Sequence, residues 1–164
     1  TTLARRSVSV AIPKDLVDLI TSGVSILVAT RSADLVPEAV RAYAAVVSPD
    51  RRRIDLVVPN GLGDRTITNL KDNGQIAVAF SRAIDHVSVQ VKGTCVEMRP
   101  TTDDDRATVE RFRAAYIEGL YLIGMPRSLT GRFRALPGTM VGFEVSEVFN
   151  QTPGPRAGEK MTPR

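Results

Sequence analysis

The strongest constraint on the fold is the strict alternation of apolar and polar residues between His86 and Cys95. Val87, Val89 and Val91 fall on one side of this segment, and every second position between them is polar. A period of two is the period of a β-strand, whose successive side chains point to opposite faces. The segment therefore predicts a strand with one buried face and a polar face that carries His86, Ser88, Gln90, Lys92 and Thr94.

The chain before this strand predicts a compact unit of strand, turn, helix and strand. Residues 53–59 alternate as a strand, and residues 60–64, Asn-Gly-Leu-Gly-Asp, break it with the residues that turns favour. Residues 65–73 then have the apolar spacing of a short helix that ends at Asn73-Gly74. Residues 75–80 return as a strand. We expect this unit and the alternating strand to organise the rest of the chain.

The start of that short helix has the chemistry of an anion site. Arg65 and Thr66 follow the Gly-rich turn directly. Unpaired backbone N–H groups, the positive end of the helix dipole and a guanidinium would converge there on one phosphate. The alternative is that Arg65 is an ordinary charged residue in a first helical turn. The local pattern alone does not decide between the two.

The remaining segments predict a barrel with attached helices. Three further strands and three further helices are expected, and the strand at 24–30 is apolar enough to be buried on both sides. Six strands joined by hairpin-like returns favour an antiparallel barrel over a parallel βαβ sheet. Gly61-x-Gly63 lacks the third glycine of a dinucleotide fingerprint. The other expected strands are 38–47 and 139–149, and the other expected helices are 13–20, 102–123 and 128–136.

Length and composition predict one soluble domain. The 164 residues suit a single domain over 1–164, with 1–11 as a loose arm and 153–164 as a polar tail after Pro153-Gly-Pro155. A net charge of +4 with only 5% aromatic residues argues against a nucleic-acid platform. No apolar run approaches the roughly 18 residues of a membrane span. We therefore expect a cytoplasmic protein with no membrane and no nucleic-acid partner.

The single Cys95 and the single His86 exclude clustered metal ligands. Cys95 lies on the apolar side of its strand, where a buried and unreactive thiol is expected. His86 could move a proton near neutral pH, or it could only belong to a turn. No metal site and no catalytic residue is predicted.

Several short motifs, taken in order, resemble a known family. They are Pro37 and Arg41 on one strand, Arg65-Thr66-x-x-Asn69-Leu70 after the turn, and Val-Gln-Val-Lys-Gly at 89–93. In this order they resemble the FMN-binding split-barrel family related to pyridoxamine 5'-phosphate oxidase, over roughly residues 12–150. The resemblance implies a mainly β fold, a six-stranded antiparallel split β-barrel with a few covering helices. It also implies a homodimer with FMN at the subunit interface.

The same resemblance assigns site residues. Arg41, Arg65 and Thr66 match positions that hold the FMN phosphate in that family. Ser88 and Gln90 lie on the strand that approaches the flavin, from the partner subunit, and Lys92 is a further candidate on the same face. For these last three residues, the alternative is the ordinary solvent-facing side of an antiparallel sheet.

The implied function is an FMN-dependent oxidoreductase acting on an unidentified small molecule. The chain departs from true pyridoxamine phosphate oxidases because its last strand, near Glu147, has no matching substrate-binding arginine. The vitamin-oxidase activity is therefore not expected. Two alternatives stay open: a non-catalytic sensor or storage protein for flavin, deazaflavin or haem, and a purely structural dimer without ligand.

Overall fold

A computed structural model describes residues 8–161, and residues 1–7 and 162–164 are outside the described chain. Most of the expected loose arm is therefore outside it. Within the described part, Val10 donates a backbone hydrogen bond of 2.8 Å to Val145. The strands are β1 Ser25–Arg31, β2 Pro37–Val47, β3 Arg53–Pro59, β4 Gln75–Ser81, β5 Ser88–Pro100 and β6 Gly138–Asn150. The helices are α1 Lys14–Thr21, α2 Asp64–Asn73, α3 Arg106–Leu122 and α4 Arg127–Thr130.

The six strands close into one barrel in the order β1-β2-β3-β6-β5-β4. Every neighbouring pair is antiparallel. Closure gives each strand a neighbour on both sides over part of its length and removes most of the exposed sheet edges that promote aggregation. The predicted mainly β, six-stranded antiparallel barrel with a few helices is confirmed.

The alternating strand β5 connects the two halves of the barrel because it pairs with both β4 and β6. Val89 and Val91 are 1% and 0% exposed and fill the interior, whereas the residues between them face outward. Gly93 is required for close packing of β5 on β6, because a Cβ atom there would overlap the carbonyl oxygen of Glu144. The period of two thus places Ser88, Gln90 and Lys92 together on the outer face, as predicted.

The predicted long helix after β5 is present as a short 3-10 turn, Asp103–Asp105, followed by α3. The capping box between Thr102 and Asp105 forms. The apolar face of α3 packs against the outside of the barrel, where the Tyr116 ring meets the Tyr43 ring edge-on at 6.3 Å between centroids. Among residues 8–161, no helix is long and apolar enough to cross a bilayer.

The expectation that β1 is buried on both sides is wrong. Ile26 and Val28 fill the interior, but Leu27 is 44% exposed and Ala29 is also exposed on the outer face. The apolar run misled the prediction because no helix of the described chain covers this part of the outer surface. The apolar outer face of β1 is therefore available for contact with a ligand or with another protein chain.

The predicted helix at 128–136 is also wrong beyond its first turn, since α4 ends at Thr130. The following backbone carbonyls are taken by a side chain instead. Arg113 donates to the carbonyl of Phe133 at 2.8 Å and to that of Gly131 at 2.9 Å. These hydrogen bonds hold the segment against α3 in a non-helical path.

The expectation that ordered structure ends at Pro153-Gly-Pro155 is wrong. Beyond this turn the chain returns along β6, where Gly158 donates to Asn150 at 2.7 Å and Met161 donates to Val148 at 2.8 Å. The physical reason is that β3 pairs with β6 only as far as Glu144. The rest of that edge of β6 has free backbone groups that the returning chain satisfies.

Candidate functional site

The first turn of α2 holds Arg65 and Thr66, two of the predicted phosphate ligands. Gly63 precedes the helix and supplies no side-chain cap. The carboxylate of Asp64 accepts from the amide of Gly61 at 2.9 Å. Within residues 8–161, the amides of Arg65 and Thr66 have no hydrogen-bond acceptor. Two backbone donors are thus available at the positive end of the helix.

The Arg65 side chain lies on the surface next to a carboxylate. Its Nη1 atom is 3.4 Å from Oε2 of Glu38, at the start of β2, and the side chain is 72% exposed. An ion pair with so much solvent contact contributes little, so an anion with more than one charge could displace Glu38. The Arg65 guanidinium can therefore exchange Glu38 for a bound anion.

Thr66 follows Arg65 in the same helical turn, but its side chain points into the protein instead of toward solvent. It is 0% exposed, and its Oγ1 atom has no hydrogen-bond partner among the described residues. A buried hydroxyl without a partner is costly and uncommon in native proteins. This orphaned oxygen is the most unusual polar group in the helix, and no pattern in the sequence indicated it.

Arg41 is held in place by two hydroxyl groups. Its Nη1 atom donates to Oγ of Ser25 at 2.8 Å and to Oη of Tyr116 at 2.7 Å. The guanidinium carbon also lies 5.5 Å from the centre of the Tyr116 ring. Among residues 8–161, no carboxylate lies within 4 Å of Arg41. Its positive charge therefore has only neutral partners.

A continuous row of outer-face residues runs from Arg41 across three further strands. Arg41 pairs with Leu27 on β1, Leu27 with Ala79 on β4, and Ala79 with Gln90 on β5. The next row along the strands joins Ala39, Ala29, Ala77 and Lys92 in the same way. We name the four apolar residues that β1 and β4 contribute to these two rows the apolar floor: Leu27, Ala29, Ala77 and Ala79.

The three candidate residues on β5 have different partners. Ser88 donates to Oγ of Ser81 at 2.9 Å or to the carbonyl of His86 at 2.9 Å. The Lys92 ammonium lies 4.9 Å from the centre of the Phe149 ring. Gln90 has no side-chain hydrogen bond within the described chain, which leaves its amide free. Gln90 therefore borders the apolar floor with a free amide, and Lys92 borders it with an ammonium that lies over the Phe149 ring.

The structure brings the six predicted residues to three places, of which the first is Arg41 on the outer face of β2. Arg65 and Thr66 lie in the first turn of α2, whereas Ser88, Gln90 and Lys92 lie on the outer face of β5. Arg41 and Gln90 are separated by three strand spacings of about 4.8 Å each, roughly 14 Å across the sheet. A single small anion does not span this distance.

Sequence reasoning missed Ser25 and Tyr116, the two residues that hold Arg41. Tyr116 sat on the apolar face of a predicted amphipathic helix, where its hydroxyl gave no separate signal. Ser25 sat in an apolar strand. Their roles depend on the packing of α3 against β1 and β2, which no local pattern encodes.

Neither His86 nor Cys95 shows the marks of a catalytic group. His86 is exposed in the β4–β5 turn, with a φ of 59°. Burial raises the pKa of the Cys95 thiol above its ordinary value, which keeps it in the less reactive protonated form. Within residues 8–161 there is no group of three side chains suited to bind a metal ion.

Comparison with solved structures identifies the fold. HupZ of Group A Streptococcus superposes with a TM-score of 0.55 and 20% identity, over 90% of this chain and 99% of that one. A putative pyridoxamine 5'-phosphate oxidase from Lactobacillus delbrueckii superposes with a TM-score of 0.55 and 16% identity, over 85% and 93% of the two chains. An F420 reductase does so with a TM-score of 0.56 and 12% identity, over 84% and 98%.

These three structures share one architecture with the present chain. The protein therefore has the split-barrel fold of the pyridoxamine 5'-phosphate oxidase-like proteins. No family model matches the sequence, and no curated protein matches it either. At such low identity the likeness concerns the fold, and any function has to be argued from the site.

Proposed function

We propose that the protein binds a flavin of the FMN type and acts as a flavin-dependent oxidoreductase on a small molecule. The observation that carries this proposal is the apolar floor on the outside of β1 and β4, with Arg41 at one side and Gln90 and Lys92 at the other. A planar aromatic ligand with polar edges needs an apolar surface and a few fixed hydrogen-bonding groups. The outer face offers both on rigid strands.

The phosphate of the cofactor would bind at the start of α2. Two free amides, the Arg65 guanidinium and the positive end of the helix dipole suit an anion there. The orphaned hydroxyl of Thr66 would gain a partner if the turn adjusts around a phosphate. Asp64 and Glu38 oppose an anion, so Arg65 must release Glu38 on binding.

Arg41 would add a second positive charge. One of its terminal nitrogens is fixed by Ser25 and Tyr116, which orients the guanidinium before any ligand arrives. Preorganisation of this kind lowers the entropic cost of binding. The Nε and Nη2 donors have no partner in the described chain and remain free for an anionic oxygen.

When bound, a flavin supplies hydride or electron transfer, and the protein sets access and orientation. The apolar floor would exclude water from one face of the rings. Gln90 and Ser88 would provide hydrogen bonds to ring heteroatoms, and Lys92 would favour electron-rich states by its charge. In a homodimer the flavin would lie between the two subunits, and the groups from β5 of one subunit would border the cofactor whose phosphate the partner subunit holds.

The homodimer is part of this proposal. The exposed Leu27 and Ala29 form an apolar surface that this chain alone leaves open. A second copy packed over it would bury the floor and enclose the cofactor. Sedimentation velocity over a range of concentrations measures the state directly, and a monomer that nonetheless binds FMN tightly would contradict the interface site.

The test of the flavin site is an FMN titration followed by fluorescence quenching, with visible spectra before and after desalting. The wild-type protein should retain bands near about 370 and 450 nm after desalting. Arg65→Ala should weaken FMN binding by about tenfold or more, because it removes a charge-assisted contact to phosphate. Arg132→Ala is the matched control, since Arg132 is an exposed arginine that lies outside α2 and outside the strands that form the floor.

The outcomes separate clearly. Equal FMN affinity of Arg65→Ala and Arg132→Ala would refute the phosphate site at α2. A wild-type protein that refuses FMN would refute flavin binding itself, and the same titration with a deazaflavin cofactor would then test the related ligand. A single intense band near about 400 nm in the purified protein would point to haem.

A non-catalytic carrier is the second candidate. The observation that favours it is that the three polar residues bordering the apolar floor, Arg41, Gln90 and Lys92, include no carboxylate and no histidine. Such a site could hold a flavin without assisting proton transfer. Rapid reduction of the bound flavin by NADH or NADPH supports the enzyme, and a bound flavin inert to both supports the carrier.

A further inference from the structure

An apolar cavity of about 330 Å³ lies between the β4–β5 turn and α3. Ala83, Ile84 and the start of β1 form one wall, and Gly119 and Leu122 form the other. The volume equals roughly eleven water molecules at about 30 Å³ each, which suits a ligand of on the order of ten to fifteen non-hydrogen atoms. It falls within the range of small-molecule sites in proteins, about 300–1,000 Å³.

Two hydroxyl-bearing residues in the cavity wall are prepared to donate hydrogen bonds. Ser25 and Tyr116 both line the cavity, and both hydroxyl oxygens accept from Nη1 of Arg41. Neither hydroxyl proton has an acceptor among residues 8–161. A hydroxyl that accepts from a cation is polarised and becomes a stronger donor. The polar part of the cavity wall therefore suits a ligand acceptor such as a carboxylate oxygen.

The charges around the cavity favour an anionic head group. Arg82 in the wall is neutralised by Asp85 at 2.7 Å, and Glu118 is neutralised by Arg127 at 2.7 Å. Arg41, behind the two hydroxyls, has no carboxylate partner among the described residues. The field in the cavity is therefore positive near Ser25 and Tyr116.

From these observations we propose that the cavity binds a small apolar monocarboxylate, with its carboxylate at Ser25 and Tyr116 and its hydrocarbon part between Ile84 and Leu122. The site goes beyond the proposed flavin function and does not depend on it. It shares only Arg41 with the phosphate site, through a different edge of the guanidinium.

Isothermal titration of the purified protein with octanoate tests the proposal. Octanoate is expected to bind, and Gly119→Leu is expected to weaken it by about tenfold or more. A Cβ atom at Gly119 meets nothing within 4 Å, so the added side chain can occupy the cavity without strain. Ala114→Leu is the matched control on an exposed position of the same helix and should change the affinity by less than about twofold.

Octylamine and 1-octanol test the head group. Both should bind at least about tenfold more weakly than octanoate if the hydroxyls and Arg41 receive a carboxylate. Equal binding of octylamine or 1-octanol overturns the monocarboxylate assignment. Equal octanoate affinity of Gly119→Leu and Ala114→Leu overturns the cavity assignment, and so does the lack of any octanoate binding up to about 10 mM. Circular dichroism of each variant verifies that it is folded.

Discussion

Replacing Thr66 by valine measures two effects of the unpaired hydroxyl separately: how far it lowers the stability of the fold, and how far it contributes to the proposed binding of phosphate. The Oγ1 atom is buried and has no partner, and the residue is 0% exposed. Burying a hydroxyl without a hydrogen bond costs about 1–3 kcal/mol, and valine has nearly the same shape and a similar helix propensity. Thr66→Val should therefore raise the free energy of unfolding by about 1–2 kcal/mol.

Urea unfolding followed by circular dichroism measures this change without added cofactor. For a chain of this size, a gain of 1–2 kcal/mol corresponds to a melting temperature higher by about 2–8 °C. Thr68→Val is the control, because Thr68 is exposed in the same helix. It should stay within about 0.5 kcal/mol of the wild type.

The same variant should bind FMN more weakly, by about five- to thirtyfold, if the hydroxyl turns toward a phosphate. The two readouts thus move in opposite directions, as expected for a group kept for function at a cost in stability. A destabilised Thr66→Val would show that the hydroxyl has a hydrogen-bond partner. A stabilised variant with unchanged FMN affinity would remove Thr66 from the phosphate site.

Three further predictions concern the scaffold. Gly93→Ala should destabilise the barrel by about 3 kcal/mol or more in urea unfolding, because the new methyl group overlaps the Glu144 carbonyl; a loss under about 1 kcal/mol would contradict this close approach. Hydrogen bonds from Arg99 hold the pKa of Asp105 below its usual value, so Asp105→Asn should cost about 1–2 kcal/mol at pH 7. That difference should shrink below about pH 4, because the carboxyl of the unfolded wild-type chain takes up a proton there before the carboxyl of the folded protein does, and a constant difference down to pH 2 would refute it. Cys95 should react with a disulfide reagent at pH 8 more slowly than free glutathione, since partial burial raises its pKa; an equal rate would contradict the raised pKa.

The barrel could be predicted because its strands are encoded by local periodicity. The alternation around Val89 and Val91 specified one buried and one outer face, and the turn residues near Gly61 and Asn73 set the limits of α2. Antiparallel pairing followed from short connections. These features depend on neighbours in sequence, so the residues themselves were sufficient.

The wrong predictions have a common physical cause in tertiary contacts. The segment after α4 was expected to be helical from composition, but Arg113 occupies its carbonyl groups from a helix about 20 residues earlier. The chain after Pro153 was expected to be loose, but the unpaired edge of β6 offers it hydrogen bonds. In both cases a distant part of the chain supplied partners that no local window contains.

The site was only partly predictable for a related reason. The resemblance named Arg41 and Arg65, but their surroundings differ in a way that residue type does not show. Arg65 has a carboxylate neighbour in Glu38, whereas Arg41 has the neutral hydroxyls of Ser25 and Tyr116. A half-buried guanidinium with only neutral partners retains its full charge for a ligand.

The outer face of β1 connects these observations. Its exposed Leu27 was predicted to be buried, and that would have been correct if another molecule covered this side of the sheet. An apolar residue at the centre of a strand costs little when a partner or a planar ligand removes it from water, at about 25 cal/mol per Å² of apolar surface. The run of apolar residues in β1 is thus what a strand needs when its inner face packs in the barrel and its outer face packs in a complex. The wrong prediction that Leu27 is buried therefore supports the interpretation of the apolar floor as a contact surface.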